Sequence, residues 1–143
     1  MKIRKHRFYF FILLFATSSL LFQLPSEAFA VDDISATASM TNDPAKLDGA
    51  ADVAVFTIGS STYAIVASNA ADAVQIIDIS DPTNIETTTS ATDGAVFEEL
   101  DGARGVATFT IGSSTYAIVT SYVDHAVQII DISAPTNIET TTS

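Results

Sequence analysis

Short apolar runs closed by turn-forming residues set the rhythm of this chain. Val53–Ile58, Tyr63–Ala67 and Val74–Ile79 follow one another, separated by Gly59-Ser60-Ser61 and by the more polar stretch from Ser68 to Asp72. Runs of this length, rich in Val, Ile, Phe and Tyr, predict strands, and no helical period of useful length appears after residue 30. Glycine can take the positive φ that tight hairpins need, so Gly59-Ser60-Ser61 reads as a hairpin between the first two strands. Asp81-Pro82-Thr83-Asn84 marks a turn after the third. A fourth segment, Ile85–Ser90, is β-branched but polar, as suits an outer strand that meets water.

The same pattern then returns. Leu47–Ser90 reappears as Leu100–Ser143, shifted by 53 positions, with 35 of 44 residues identical. One structural unit is therefore used twice, and repeats of this length point to propellers, solenoids or arrays. In the third strand Val74, Ile76 and Asp78 alternate with Gln75, Ile77 and Ile79, which leaves both faces mainly apolar and in need of cover on both sides. Stacked four-stranded sheets supply that cover. The expected fold is all-β: two four-stranded antiparallel blades, β-propeller-like, forming an incomplete ring, because closed propellers use at least four blades.

The predicted organisation is a leader over residues 1–30, an extended segment over 31–46, a first repeat over 47–90, a connection over 91–99 and a second repeat over 100–143. Within the extended segment, Ile34–Asn42 resembles the fourth strand and the start of the connection. Such a chain reads as a truncated member of a longer repeat family or as a protomer that closes by association.

Tyr63-Ala64-Ile65-Val66-Ala67 followed by Val74-Gln75-Ile76-Ile77-Asp78-Ile79-Ser80-Asp81-Pro82 resembles the LVIVD repeat of secreted and cell-surface proteins. Tyr116–Val119 and Val127–Pro135 carry the resemblance in the second copy. It implies a β-propeller-like fold and an extracytoplasmic setting, with no general enzymatic activity and no fixed site residues. Ala73 and Ala126 stand where the family often has glycine, and Ile85 and Ile138 where proline is common. Ala134 replaces Asp81 in the second copy. These departures bear on local turn geometry.

Lys2, Arg4, Lys5 and Arg7 precede an apolar run from Phe8 to Leu24, and Ala28-Phe29-Ala30 follows it. Basic, apolar and small-residue regions in that order predict a secretory signal peptide, helical as a leader and removed after Ala30. The apolar run is shorter than a membrane-spanning helix requires. Beyond residue 30, Lys46 and Arg104 face 16 of the chain's 17 carboxylates, for a net charge near −14. Such a charge repels phosphate backbones and anionic lipid, so neither nucleic acid nor membrane insertion after signal removal is expected. There is no cysteine, so an oxidising compartment adds no disulfide.

Candidate chemistry is sparse. Gly59-Ser60-Ser61-Thr62 lacks the lysine of a P-loop and the final glycine of a nucleophile elbow. His125 stands where the other copy has Asp72, which excludes a duplicated catalytic role. Asp78, Asp131 and Asp81 offer oxygen ligands of the kind a divalent cation takes, but their spacing matches no calcium loop. Aspartate before a turn is ordinarily satisfied by nearby backbone N–H groups, and Glu98, Glu99 and Asp101 read as a solvated loop. No catalytic residue, metal site or cofactor is expected.

Nine positions differ between the copies, and Ala67/Thr120, Asn69/Tyr122, Ala70/Val123, Ala71/Asp124 and Asp72/His125 crowd between the second and third strands. Loops at the end of a rigid sheet are common places for recognition. Asn69, Asp72, Tyr122, Asp124 and His125 are thus the candidate recognition residues, in loops expected to be exposed. The sequence points to an exported, acidic, non-enzymatic repeat protein. It would act outside the cell or at its surface as a structural or interaction module, its partners being other blades through self-association or a surface protein. The alternative is a piece of a larger propeller enzyme of hydrolase type, with its catalytic residues on other blades. N-terminal sequencing of the exported protein should read from Val31; an intact Met1 terminus on membrane-bound protein would overturn the leader assignment.

Overall fold

Each apolar run becomes a strand. The structure, a computed structural model, describes residues 37–40 and 46–140, all within a unit bounded Ser35–Ser143. The expected signal-peptide helix and most of the 31–46 segment lie outside the described residues. Among those described, the strands are β1 (Ala50–Ile58), β2 (Ser61–Ser68), β3 (Ala73–Asp78), β4 (Glu86–Thr92), β5 (Ala103–Ile111), β6 (Ser114–Ser121), β7 (Ala126–Asp131) and β8 (Glu139–Thr140). They form two four-stranded antiparallel sheets, ordered β1-β2-β3-β4 and β5-β6-β7-β8. The two sheets make no closed ring, and residues 37–40 belong to neither.

Hairpin chemistry sets the register. Ile58 pairs with Ser61, leaving Gly59 and Ser60 as a two-residue loop with Gly59 at φ +62°. Positive φ at the first central position is the II′ arrangement, whose twist matches that of the strands it joins. Phe56 then falls directly opposite Tyr63, and the rings stack at 5.4 Å. Phe109 and Tyr116 repeat the pair at 5.5 Å. Offset aromatic pairs of this kind add to the gain from burial alone.

The pairing also sorts side chains onto two faces of each sheet. In the first repeat Phe56, Ile65, Ala67, Val74, Ile76 and Ala91 share a forward face, while Val53, Val55, Val66, Gln75 and Ile77 share the rear face. The core is the forward face of the first sheet packed on the rear face of the second, where Val106, Ala117, Val119, Ile130 and Ile132 point. Leu100 and Ala103, at the entry to β5, seal its edge.

Identical sequence consequently has unlike surroundings. Val74 and Ile76 are fully buried, whereas their counterparts Val127 and Ile129 are 58% and 38% exposed. Val53 is 58% exposed, and its counterpart Val106 is buried. The two-faced apolar character of β3 and β7 predicts that Ile76, Ile77, Ile129 and Ile130 are all covered; Ile129 departs from that, because among the described residues no third sheet lies on the forward face of the second. Ile76→Ala should cost about 2–5 kcal/mol in equilibrium unfolding, and Ile129→Ala less than about 1 kcal/mol. Equal losses would contradict this stacking.

Candidate functional site

The strand-end acids come first, since they repeat. Asp78 Oδ1 accepts the Ser80 N–H at 2.9 Å, and Ser80 Oγ accepts the Thr62 N–H at 3.0 Å. Asp131, Ser133 and Thr115 repeat the clamp, at 2.9 Å for both bonds. Asp81 Oδ1 accepts both the N–H and the hydroxyl of Thr83. Hydrogen bonds from the Ser80 side chain and backbone hold the Asp78 carboxyl below its usual value, and those from Thr83 do the same for Asp81. Asp78 and Asp131, through Ser80 and Ser133, tie the exit of the third strand of each repeat to the start of the second, while Asp81 closes its own turn in the manner of an Asx turn. Among the described residues no group of three or more acidic or histidine side chains is arranged to hold a metal ion.

A second arrangement lies where the repeats meet, and it gathers most of the candidate recognition residues. Three successive backbone N–H groups in the turn before β5 each find a carboxylate from a different segment. Asp93 Oδ1 accepts from Leu100 at 3.1 Å, Asp124 Oδ2 from Asp101 at 2.8 Å, and Asp72 Oδ1 from Gly102 at 2.8 Å. Gly102 carries φ +68°, and a Cβ there would lie 2.8 Å from Val123 Cγ2 and 3.3 Å from Asn69 Nδ2. Glycine is thus required twice over, by its backbone and by the closeness of both β2–β3 and β6–β7 loops.

The expectation of two exposed loops holds only in part. Ser68 and Ser121 are buried, and Asn69, Asp72 and Asp124 are half-buried. The first loop is built into the junction, because the second repeat stands over it. Nor is Glu98–Gly102 a solvated loop throughout: Glu98 and Glu99 are exposed, but Leu100 is fully buried. Asp93 and Asp52 were not singled out from sequence. Asp52 Oδ2 accepts the Val106 N–H at 3.0 Å across the repeats. The only signal for it was its replacement by Gly105 in the other copy.

The second loop is open. Tyr122 is 61% exposed, with the Arg104 guanidinium 4.6 Å above its ring and the His125 imidazole edge-on at 6.3 Å. Arg104, Tyr122 and His125 replace Ala51, Asn69 and Asp72 of the first repeat. Asp72 and His125 are the two non-glycine residues with positive φ among those described, at 48° and 54°. Both residue types tolerate that region better than most. The surface also has a shallow cleft of about 210 Å³ between β1 and β5, lined by Val55, Phe56 and several threonines.

The LVIVD repeat family model matches residues 49–93 and 116–142. No curated protein matches the chain.

Electrostatics at the turn has a measurable sign. Partial burial, then the carboxylates of Asp72 and Asp124, a hydrogen bond with Asp72 and the carboxylate of Asp93 push the Asp101 carboxyl above the usual aspartate value. A raised value in the folded state favours folding below the ordinary aspartate range, and that contribution is lost as pH rises through the folded value. Asp101→Asn should therefore raise the unfolding midpoint at neutral pH, with the gain fading as pH falls to about 3. Thermal unfolding across that range checks it, and a lower midpoint at neutral pH would mean that the carboxylate makes a needed contact.

Proposed function

Because the chain belongs to the LVIVD repeat family, we propose that it is an exported, non-enzymatic repeat module that holds another macromolecule at the cell surface or outside the cell. The observation that carries this reading is the Arg104–Tyr122–His125 patch, an exposed aromatic flanked by a guanidinium and an imidazole at the end of the second sheet. Tyr and Arg are enriched among the few residues that carry most of the binding energy of protein interfaces. A basic leader ahead of a small-x-small site supports export. The repeated acids and serines serve turns and strand ends, so the reading rests on the open loop and not on them.

Cross-linking of intact producing cells with a membrane-impermeant reagent tests the proposal. The chain should give a defined cross-linked species, and Tyr122→Ala should weaken that association by at least about 30-fold while the fold is retained. Protein confined to the cytosol, or cross-linking indifferent to Tyr122, would overturn it.

A further inference from the structure

The molecule contains one complete contact between repeats and both halves of a second. The forward face of the first sheet is satisfied by the rear face of the second. The forward face of the second, marked by Val127 and Ile129, is open, and so is the inner part of the first sheet's rear face, where Val53 and Val55 are 58% and 57% exposed. In the contact that does form, Val106 and Thr108 occupy the rear-face positions of Val53 and Val55, and Val74 and Ile76 occupy the forward-face positions of Val127 and Ile129.

We infer that the partner of these two faces is a second copy of the chain, bound head to tail, with the forward face of one copy's second repeat on the rear face of the next copy's first repeat. The inference rests on the interaction role proposed above and names its partner. Near-identity of the repeats is the physical reason, since a surface that fits the rear face of repeat two also fits the closely matching rear face of repeat one. Apolar patches left open in this way drive association, and a head-to-tail contact between like chains closes into a ring or extends, according to its angle.

The differing positions are compatible with that contact. Across the internal junction Asp72 faces Gly102 beside Asp101, whose carboxyl suffers from like-charged neighbours. At the corresponding place between copies, His125 would face Gly49 beside Asp48, with Ala71 and Met40 where Asp124 and Asp93 crowd the internal turn. The carboxylate repulsion is thus not repeated. Two cross-repeat hydrogen bonds are not repeated either, those of Asp52 with Val106 and of Thr108 with the Val55 carbonyl. Gly105 and Val55 stand in the place of Asp52 and Thr108, which makes the contact between copies the more apolar of the two.

Room for the second copy is confined to the β1 side of the rear face, where Val53 and Val55 stand. Ala64, Gln75 and Ile77 on its β2 and β3 part are already covered, and Met40 Sδ lies 3.3 Å from Thr87 Oγ1 beside Ile77.

Sedimentation of the purified chain at micromolar concentration should show two or more copies. Val53→Asp, which spoils the rear face, and Ile129→Asp, which spoils the forward face, should each sediment as monomers with unfolding midpoints close to the parent's. An equimolar mixture of the two variants should recover a dimer, because each retains the face that the other lacks. Val55→Lys with Val127→Lys provides an independent pair. A parent chain that stays monomeric, variants that still associate, or folded variants whose mixture does not pair would each overturn the inference. Exported monomer would do so while leaving the proposed function standing, and association of a chain found only in the cytosol would do the reverse.

Discussion

Burial of one two-faced sheet by another is the constraint on which this structure depends. A strand such as β3, with Val74 and Ile76 on one side and Ile77 on the other, cannot satisfy both sides within its own sheet. An antiparallel sheet with one wet face can stand alone with modest loss; a sheet apolar on both faces must be stacked. The core accordingly belongs to neither repeat. Its main cluster lies between them, and a repeat on its own would keep its hydrogen-bonded ladders and lose that shared interior.

The polar features follow from that contact. Stacking brings the turn before β5 beneath the loops of both repeats, where its backbone N–H groups would lose water. Asp93, Asp124 and Asp72 replace that water as acceptors, because an unpaired donor in such a place is costly. Meeting this need concentrates negative charge around Asp101, so the arrangement trades lost hydration for carboxylate repulsion. The differences between copies acquire a meaning here. Asp52 and Asp72 reach across to the second repeat, which itself carries Gly105 and His125 at the corresponding places.

The strands, the hairpin glycines and the clamps at Asp78 and Asp131 were legible in the sequence, because each is decided within about twenty residues by alternation, turn chemistry and short-range hydrogen bonding. So were the repeat itself and its membership of a stacked architecture, since periodic identity and two-faced strands leave few other solutions. The clustering of differences between the second and third strands also pointed to the right place on the sheet. Its meaning did not follow: Asn69 and Asp72 looked like loop-tip residues, and Ile129 looked as buried as Ile76.

What the sequence determined alone was therefore local and periodic: where strands begin, which residues share a face, and that one unit is used twice. Only the tertiary structure decided which face of which copy is covered. Identical side chains at Ile76 and Ile129 differ in exposure because burial depends on what stands opposite, and that is set by position in the stack and not by the residues themselves. The three carboxylates at the turn before β5 come from segments far apart in the chain, and no spacing rule relates them; packing brought them together because three backbone donors there needed acceptors.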